Sequence, residues 1–157
     1  MDKKIEVQVT GLRLEEQSET PILILQELES SKVFPIWIGT FEAVSIAYAQ
    51  ENLPTSRPLT HELIITLIQK LNGKVKELYI FDVVDNAFHS NLIIETNENI
   101  IEIPCRPSDG VTIALRSNAK ITIDSDLFFQ NCIELIDDNE IEKFNEFINS
   151  IEPSDFA

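Results

Sequence analysis

Basic residues are scarce in this chain: 12 Lys and Arg stand against 27 Asp and Glu, for a formal net charge of −15. A surface that tracks nucleic-acid phosphates through clustered Lys and Arg has little to build on, and long-range steering repels a polyanion. Glycine is almost as scarce. With only Gly11, Gly39, Gly73 and Gly110, there is no phosphate-cradling loop and no Gly-x-Ser-x-Gly elbow, so P-loop and serine-hydrolase chemistry drop out. The two cysteines, Cys105 and Cys132, have no second pair and no neighbouring His. They read as free thiols rather than a zinc ribbon or a disulfide framework. No apolar run approaches the ~18 residues of a membrane span, and none follows the lysines of the N-terminus. These absences together lead us to expect a soluble, cytoplasmic protein.

What is present is the composition of an ordinary globular domain, 43% apolar and 25% charged. Residues 5–14 alternate apolar and polar side chains, the period of a half-buried strand. Residues 21–25 and 33–38 are short apolar runs that complete a three-strand meander. An Ala-rich stretch, Phe41 to Ala49, is apolar nearly all round and predicts a helix packed on several sides. Leu63, Ile64, Leu67, Ile68 and Leu71 share one face at helical spacing before Asn72-Gly73, predicting a second helix. Residues 75–84, 88–95 and 100–105 form a second meander, joined by Asp85-Asn86 and by Asn97-Glu98-Asn99, turn-rich linkers suited to hairpins. A third helix follows from Pro107 to Arg116, then a strand at 121–123; residues 124–131 are ambiguous. The expected fold is α+β: meanders forming a twisted mixed or antiparallel sheet packed with three to four helices. We place the body of the domain at residues 1–133. Residues 134–157 hold eight acids against Lys143. Ile141, Phe144, Phe147, Ile148 and Ile151 share one face there, predicting an acidic amphipathic helix that docks on the body or on a partner.

Two of the four arginines stand directly before a proline: Arg57-Pro58-Leu59-Thr60-His61-Glu62 and Arg106-Pro107-Ser108-Asp109. Pro suits the first helical position and an acid suits the positive helix end, which accounts for Pro58, Glu62, Pro107 and Asp109 without any function. The arginines need more. Either carboxylates hold them, or they capture an anion at a helix N-terminus. His61 has two readings as well, a hydrogen-bonded structural residue or a general base or metal ligand. His89, alone on a strand, reads as structural.

Pro35-Ile36-Trp37-Ile38-Gly39 with Phe41-Glu42-Ala43, then Arg57-Pro58-Leu59-Thr60-His61-Glu62-Leu63, then Arg106-Pro107-Ser108-Asp109 leading to Ala114-Leu115-Arg116, resemble the bifunctional nuclease domain family in order and spacing. The chain departs from the family pattern with Glu62 for Asp, Pro104-Cys105 for Asp-Ala, Gly110 for Ala, and His89-Ser90 for Tyr-Ala. The resemblance implies an α+β domain, usually oligomeric, in a family whose plant members are described as degrading DNA and RNA. It leads us to expect a nuclease with His61, Glu62 and Asp109 as catalytic residues. Arg57, Thr60, Arg106 and Ser108 would hold the phosphate. Glu42, Glu62 and Asp109 would hold a divalent metal such as Mg2+ or Mn2+, since acids without a cation repel the substrate. A homo-oligomer, most simply a dimer, is expected from the apolar first helix and the stripe on the last. The competing expectation is a non-catalytic assembly or regulatory module in which the same Arg and acid residues form a structural ion-pair network.

Overall fold

The computed structural model describes residues 3–53 and 56–134. In chain order the elements are β1 (Lys4–Leu14), β2 (Pro21–Glu27), β3 (Lys32–Trp37), α1 (Thr40–Glu51), α2 (Thr60–Lys70), β4 (Lys74–Val84), β5 (Ala87–Glu95), β6 (Ile100–Cys105), α3 (Pro107–Ser117), β7 (Lys120–Asp124), α4 (Ser125–Asn131) and the short β8 (Ile133–Glu134). All eight strands join one sheet in the order β6-β5-β4-β7-β1-β2-β3-β8. Both meanders are present, and β7 stitches them together, antiparallel to β1 and parallel to β4. The mixed α+β architecture is the one the sequence leads to. None of the described helices is long and apolar enough to cross a membrane.

Turn chemistry sets the second meander. Asp85 and Asn86 both have positive φ, 52° and 65°, and Val84 pairs with Ala87 across them. This is the two-residue hairpin that Asn and Asp make at lowest steric cost. On the helix side of the sheet, Leu23, Leu25, Phe34, Leu78, Ile80 and Ile123 are buried in one core with Ala43 and Ile46 of α1, Val111 and Ala114 of α3, and Phe128 of α4. Burial of this continuous apolar face is the main stabilising term, worth roughly 1.5–3 kcal/mol per large side chain. The ambiguous stretch resolves as α4, started by the Asp124 carboxylate, which accepts a hydrogen bond from the Leu127 amide at 3.1 Å.

One local expectation is corrected. Helix α2 does not start at its Arg-Pro pair: Leu59 is the N-cap and donates no side-chain cap, so Pro58 precedes the helix, whereas Pro107 does open α3 behind its N-cap, Arg106. The apolar face of α2 is not all core, because no residue of α2 is buried and Leu63, Leu67 and Leu71 are 53%, 52% and 75% exposed. The apolar character of α1 is absorbed by this chain's own core through Ala43, Ile46, Ala47 and Ala49. The predicted acidic helix after Glu134 lies outside the described residues.

Candidate functional site

Three helices begin at one place. Glu42 lies in the first turn of α1, His61 in the first turn of α2 and Asp109 in the first turn of α3, with Arg106 as the α3 N-cap. Helix starts carry partial positive charge, so short acids in first turns are stabilised and convergent starts favour an anion. The four side chains are joined. Arg106 Nε donates to Asp109 Oδ2 at 2.9 Å and Nη2 to Asp109 Oδ1 at 3.2 Å, a two-pronged grip suited to the planar guanidinium. Its Nη1 donates to Glu42 Oε1 at 3.1 Å. His61 Nε2 lies 3.0 Å from Asp109 Oδ1.

Asp109 is the hub. Its partial burial pushes the carboxyl up, but the Arg106 and His61 hydrogen bonds and charges outweigh that and hold it below the ordinary carboxylate value. Arg106 itself is 65% exposed, so it can also meet solvent or a ligand. Glu42 is folded back over its own N-cap: a Cβ on Gly39 would collide with the Glu42 carboxylate. A larger residue at 39 would therefore displace Glu42 rather than the backbone.

The cluster sits at the charged end of a groove of about 710 Å3. Phe41, Glu42, Thr60, His61, Arg106 and Asp109 line that end, while Ile64, Leu67, Ile68 and Leu71 of α2 face Leu92, Ile94 and Ile103 of the sheet along the rest. Pro104 and Cys105 also line it. Burial raises the Cys105 thiol above its ordinary value, so it is a half-buried free thiol and a poor nucleophile. On the other side of Arg106 a smaller hollow of about 380 Å3 is lined by Trp37, Glu42, Phe88 and Ser108.

Of the residues expected from sequence, Glu42, Thr60, His61, Arg106 and Asp109 come together. Ser108 is buried on the far side of Arg106, where its carbonyl accepts a 2.9 Å hydrogen bond from Thr112. Glu62 is turned to Arg116, with Nη2 to Oε1 at 3.8 Å, and does not line the groove. Arg57 is exposed, precedes α2 by three residues and is not among the groove-lining residues. A divalent metal does not fit this donor set as arranged. Both Asp109 oxygens are engaged by Arg106 and His61, Glu62 lies elsewhere, and among the described residues no group of three or more His, Cys, Asp or Glu could hold an ion. Sequence reading missed the role of Pro104 and Cys105 as groove wall, and the apolar groove itself. The two Ile of β6 that follow the strand alternation, Ile101 and Ile103, were the available signal.

The bifunctional nuclease domain model matches residues 23–135, a span that contains all three helix starts. An uncharacterized protein of Mycobacterium tuberculosis (strain H37Rv) is 38% identical over 96% of this chain and 97% of its own length. Bifunctional nuclease 1 of Oryza sativa subsp. japonica is 22% identical over 85% of this chain, and Bifunctional nuclease 2 of Arabidopsis thaliana 21% over 78%. The matches span only 41% and 38% of those plant proteins. With the family model covering most of its length, the chain belongs to the bifunctional nuclease domain family.

Proposed function

We propose that the chain is a hydrolase that cleaves phosphodiester bonds of DNA or RNA at the charged end of the groove. The observation that carries this reading is the convergence of three helix starts on an exposed arginine held beside a His–Asp pair. A guanidinium has five N–H donors, and among the described residues three of Arg106's are spent, on Asp109 and Glu42. The remaining two can grip nonbridging phosphate oxygens, with the helix ends adding to the positive potential.

In the tautomer with a proton on Nε2, His61 donates to Asp109, and its Nδ1 lone pair takes the proton of an attacking water. The water oxygen bonds to phosphorus, the bond from phosphorus to the leaving oxygen breaks, and that oxygen takes a proton from solvent. Asp109 fixes the ring and stabilises the imidazolium; Glu42 and Asp109 fix Arg106. No step is routed through a metal, because the carboxylates that would bind one are engaged. A strict metal requirement would mean that Glu42 and Asp109 release Arg106 to hold the ion.

The test is cleavage of end-labelled single- and double-stranded DNA and RNA by highly purified protein, in EDTA and with added Mg2+ or Mn2+. His61→Gln and Arg106→Lys, purified in parallel, should each lose about 100-fold or more, the usual range for a proton-transfer group or a preorganised anion clamp. Equal cleavage by wild type and both variants would identify a contaminating nuclease and end this reading. The module reading draws on one specific observation, the half-buried Arg116–Glu62 pair, whose side chains are 11% and 29% exposed. It predicts no cleavage by any preparation, with Glu62→Gln lowering stability.

A further inference from the structure

Arg106 stands between two hollows, and the cleavage chemistry uses the groove alone. The second hollow, of about 380 Å3, falls within the ~300–1,000 Å3 of small-molecule sites. It forms where β3 runs out into α1: Trp37 ends the strand, Gly39 is the helix N-cap, and Glu42 follows in the first turn. Trp37 and Phe88 line it together with Asn86 of the β4–β5 hairpin, Glu42 and Arg106. Phe88 is braced on Phe34 of the core, with ring centroids 5.0 Å apart. Trp37 is 53% exposed, whereas tryptophan is on average a highly buried side chain. Its ring is nonetheless held, because Nε1 donates to Glu15 Oε2 at 2.9 Å. An aromatic ring that is already positioned loses little freedom when a flat ligand stacks on it.

We propose that this hollow is a nucleobase subsite, in which an unpaired base stacks on Trp37 while the adjoining phosphate is held on the groove side of Arg106. The position of that phosphate rests on the phosphodiester reading, to which the subsite adds a substrate class: single-stranded nucleic acid. Charge selects a base over a second phosphate here. Glu42 lines the hollow and repels an anion, whereas a base is neutral and flat and offers a π-face that any aromatic side chain can stack on. The Asn86 amide, at the hairpin tip where φ is 65°, carries both donors and an acceptor for a base edge. A base inside a duplex is stacked on both faces and bonded along its pairing edge. It reaches Trp37 only when flipped out, at the cost of unstacking and unpairing. A single strand has no such cost. The acidity of the chain points the same way, since with 12 Lys and Arg against 27 Asp and Glu stacking supplies affinity that phosphate neutralisation does not.

Trp37 is the only tryptophan of the chain, so its fluorescence, excited at the red edge of the indole band, reports on the hollow directly. His61 does not line the hollow, and His61→Gln suppresses cleavage during a titration. A short oligothymidylate should quench Trp37 saturably in this variant and in wild type. An abasic strand of the same length and charge should not quench, and a duplex should bind at least about tenfold more weakly, because a base must first be flipped out. Trp37→Leu keeps the apolar bulk without the indole. It should retain the far-UV circular dichroism of wild type and raise KM for a single strand about tenfold with kcat changed less, within the roughly 5- to 150-fold of one lost stack. Equal quenching by the abasic strand, no quenching by oligothymidylate, or a wild-type KM in Trp37→Leu overturns the subsite; cleavage that persists in wild type then leaves the hydrolase reading standing. A duplex that quenches as well as the single strand overturns the substrate class. Saturable, base-dependent quenching of a chain that cleaves nothing supports the subsite and ends the hydrolase reading instead.

Discussion

Asp109 bonds both Arg106 and His61, and through Arg106 it is linked to Glu42; its depressed pKa has a defined consequence for acid stability. A carboxyl whose folded-state pKa lies below its unfolded value contributes stability that is fully present above the unfolded value and lost as pH falls through the folded one. For Asp109 that window lies below the ordinary 3.8. Asp109→Asn should therefore lower the thermal midpoint at pH 7, and the gap from wild type should close on acidification below that value as the wild type loses its own charge. A gap that stayed constant from pH 7 to pH 2.5 would show that Asp109 contributes shape rather than charge. The same residue shows how far sequence reaches at this scale. The two Arg-Pro motifs, together with the family resemblance, single out Asp109, Arg106 and His61 as candidates. They do not separate His61 from Glu62, which carry equally plausible chemistry, but helix geometry does. Adjacent helical residues point about 100° apart, so once His61 faces Asp109, Glu62 must face elsewhere and finds Arg116.

At the scale of elements, the seat of α3 on the sheet sets where its first turn can present Asp109 and Arg106. Gly110 makes that seat close: a Cβ there would collide with Leu78 and stand 3.1 Å from Cys105 Sγ, and Leu78 is fully buried. Gly110→Ala gains up to about 1 kcal/mol of helix propensity but overpacks the core at a cost of roughly 1–3 kcal/mol. We expect net destabilisation in urea melts. Adding Cys105→Ala should recover part of it by removing the sulfur, and a Gly110→Ala variant as stable as wild type would contradict so close a seat. Elements were the most legible level in the sequence, because hairpin residues such as Asp85-Asn86 and the period of each strand are local. What covers an apolar face is not local. The spacing of Leu63, Ile64, Leu67, Ile68 and Leu71 correctly marks one face of α2, but Ile64 and Ile68 pack on the core while the three leucines do not. Periodicity cannot make that division, since it carries no information about what lies opposite.

For the whole molecule, the acidic surface and the phosphodiester reading make opposite demands, and salt decides how they are reconciled. A basic nucleic-acid binder that neutralises 6–10 phosphates loses about 10³–10⁵ in affinity between 50 and 200 mM salt. Here, among the described residues, Arg106 is the one arginine that lines the charged end, and on a single strand one phosphate contact gives a loss of only about threefold over that range. Screening acts against even this loss. The net charge of −15 repels the substrate within about a Debye length, about 8 Å at physiological ionic strength, and added salt shortens that range and weakens the repulsion. The kcat/KM for a short single-stranded oligonucleotide should therefore change by less than about tenfold from 50 to 200 mM NaCl, and Arg106→Gln should flatten the remaining dependence. A thousandfold fall over that range would mean that the cleaving species carries a basic phosphate track, which this chain's composition does not provide. The activity would then belong to another protein in the preparation.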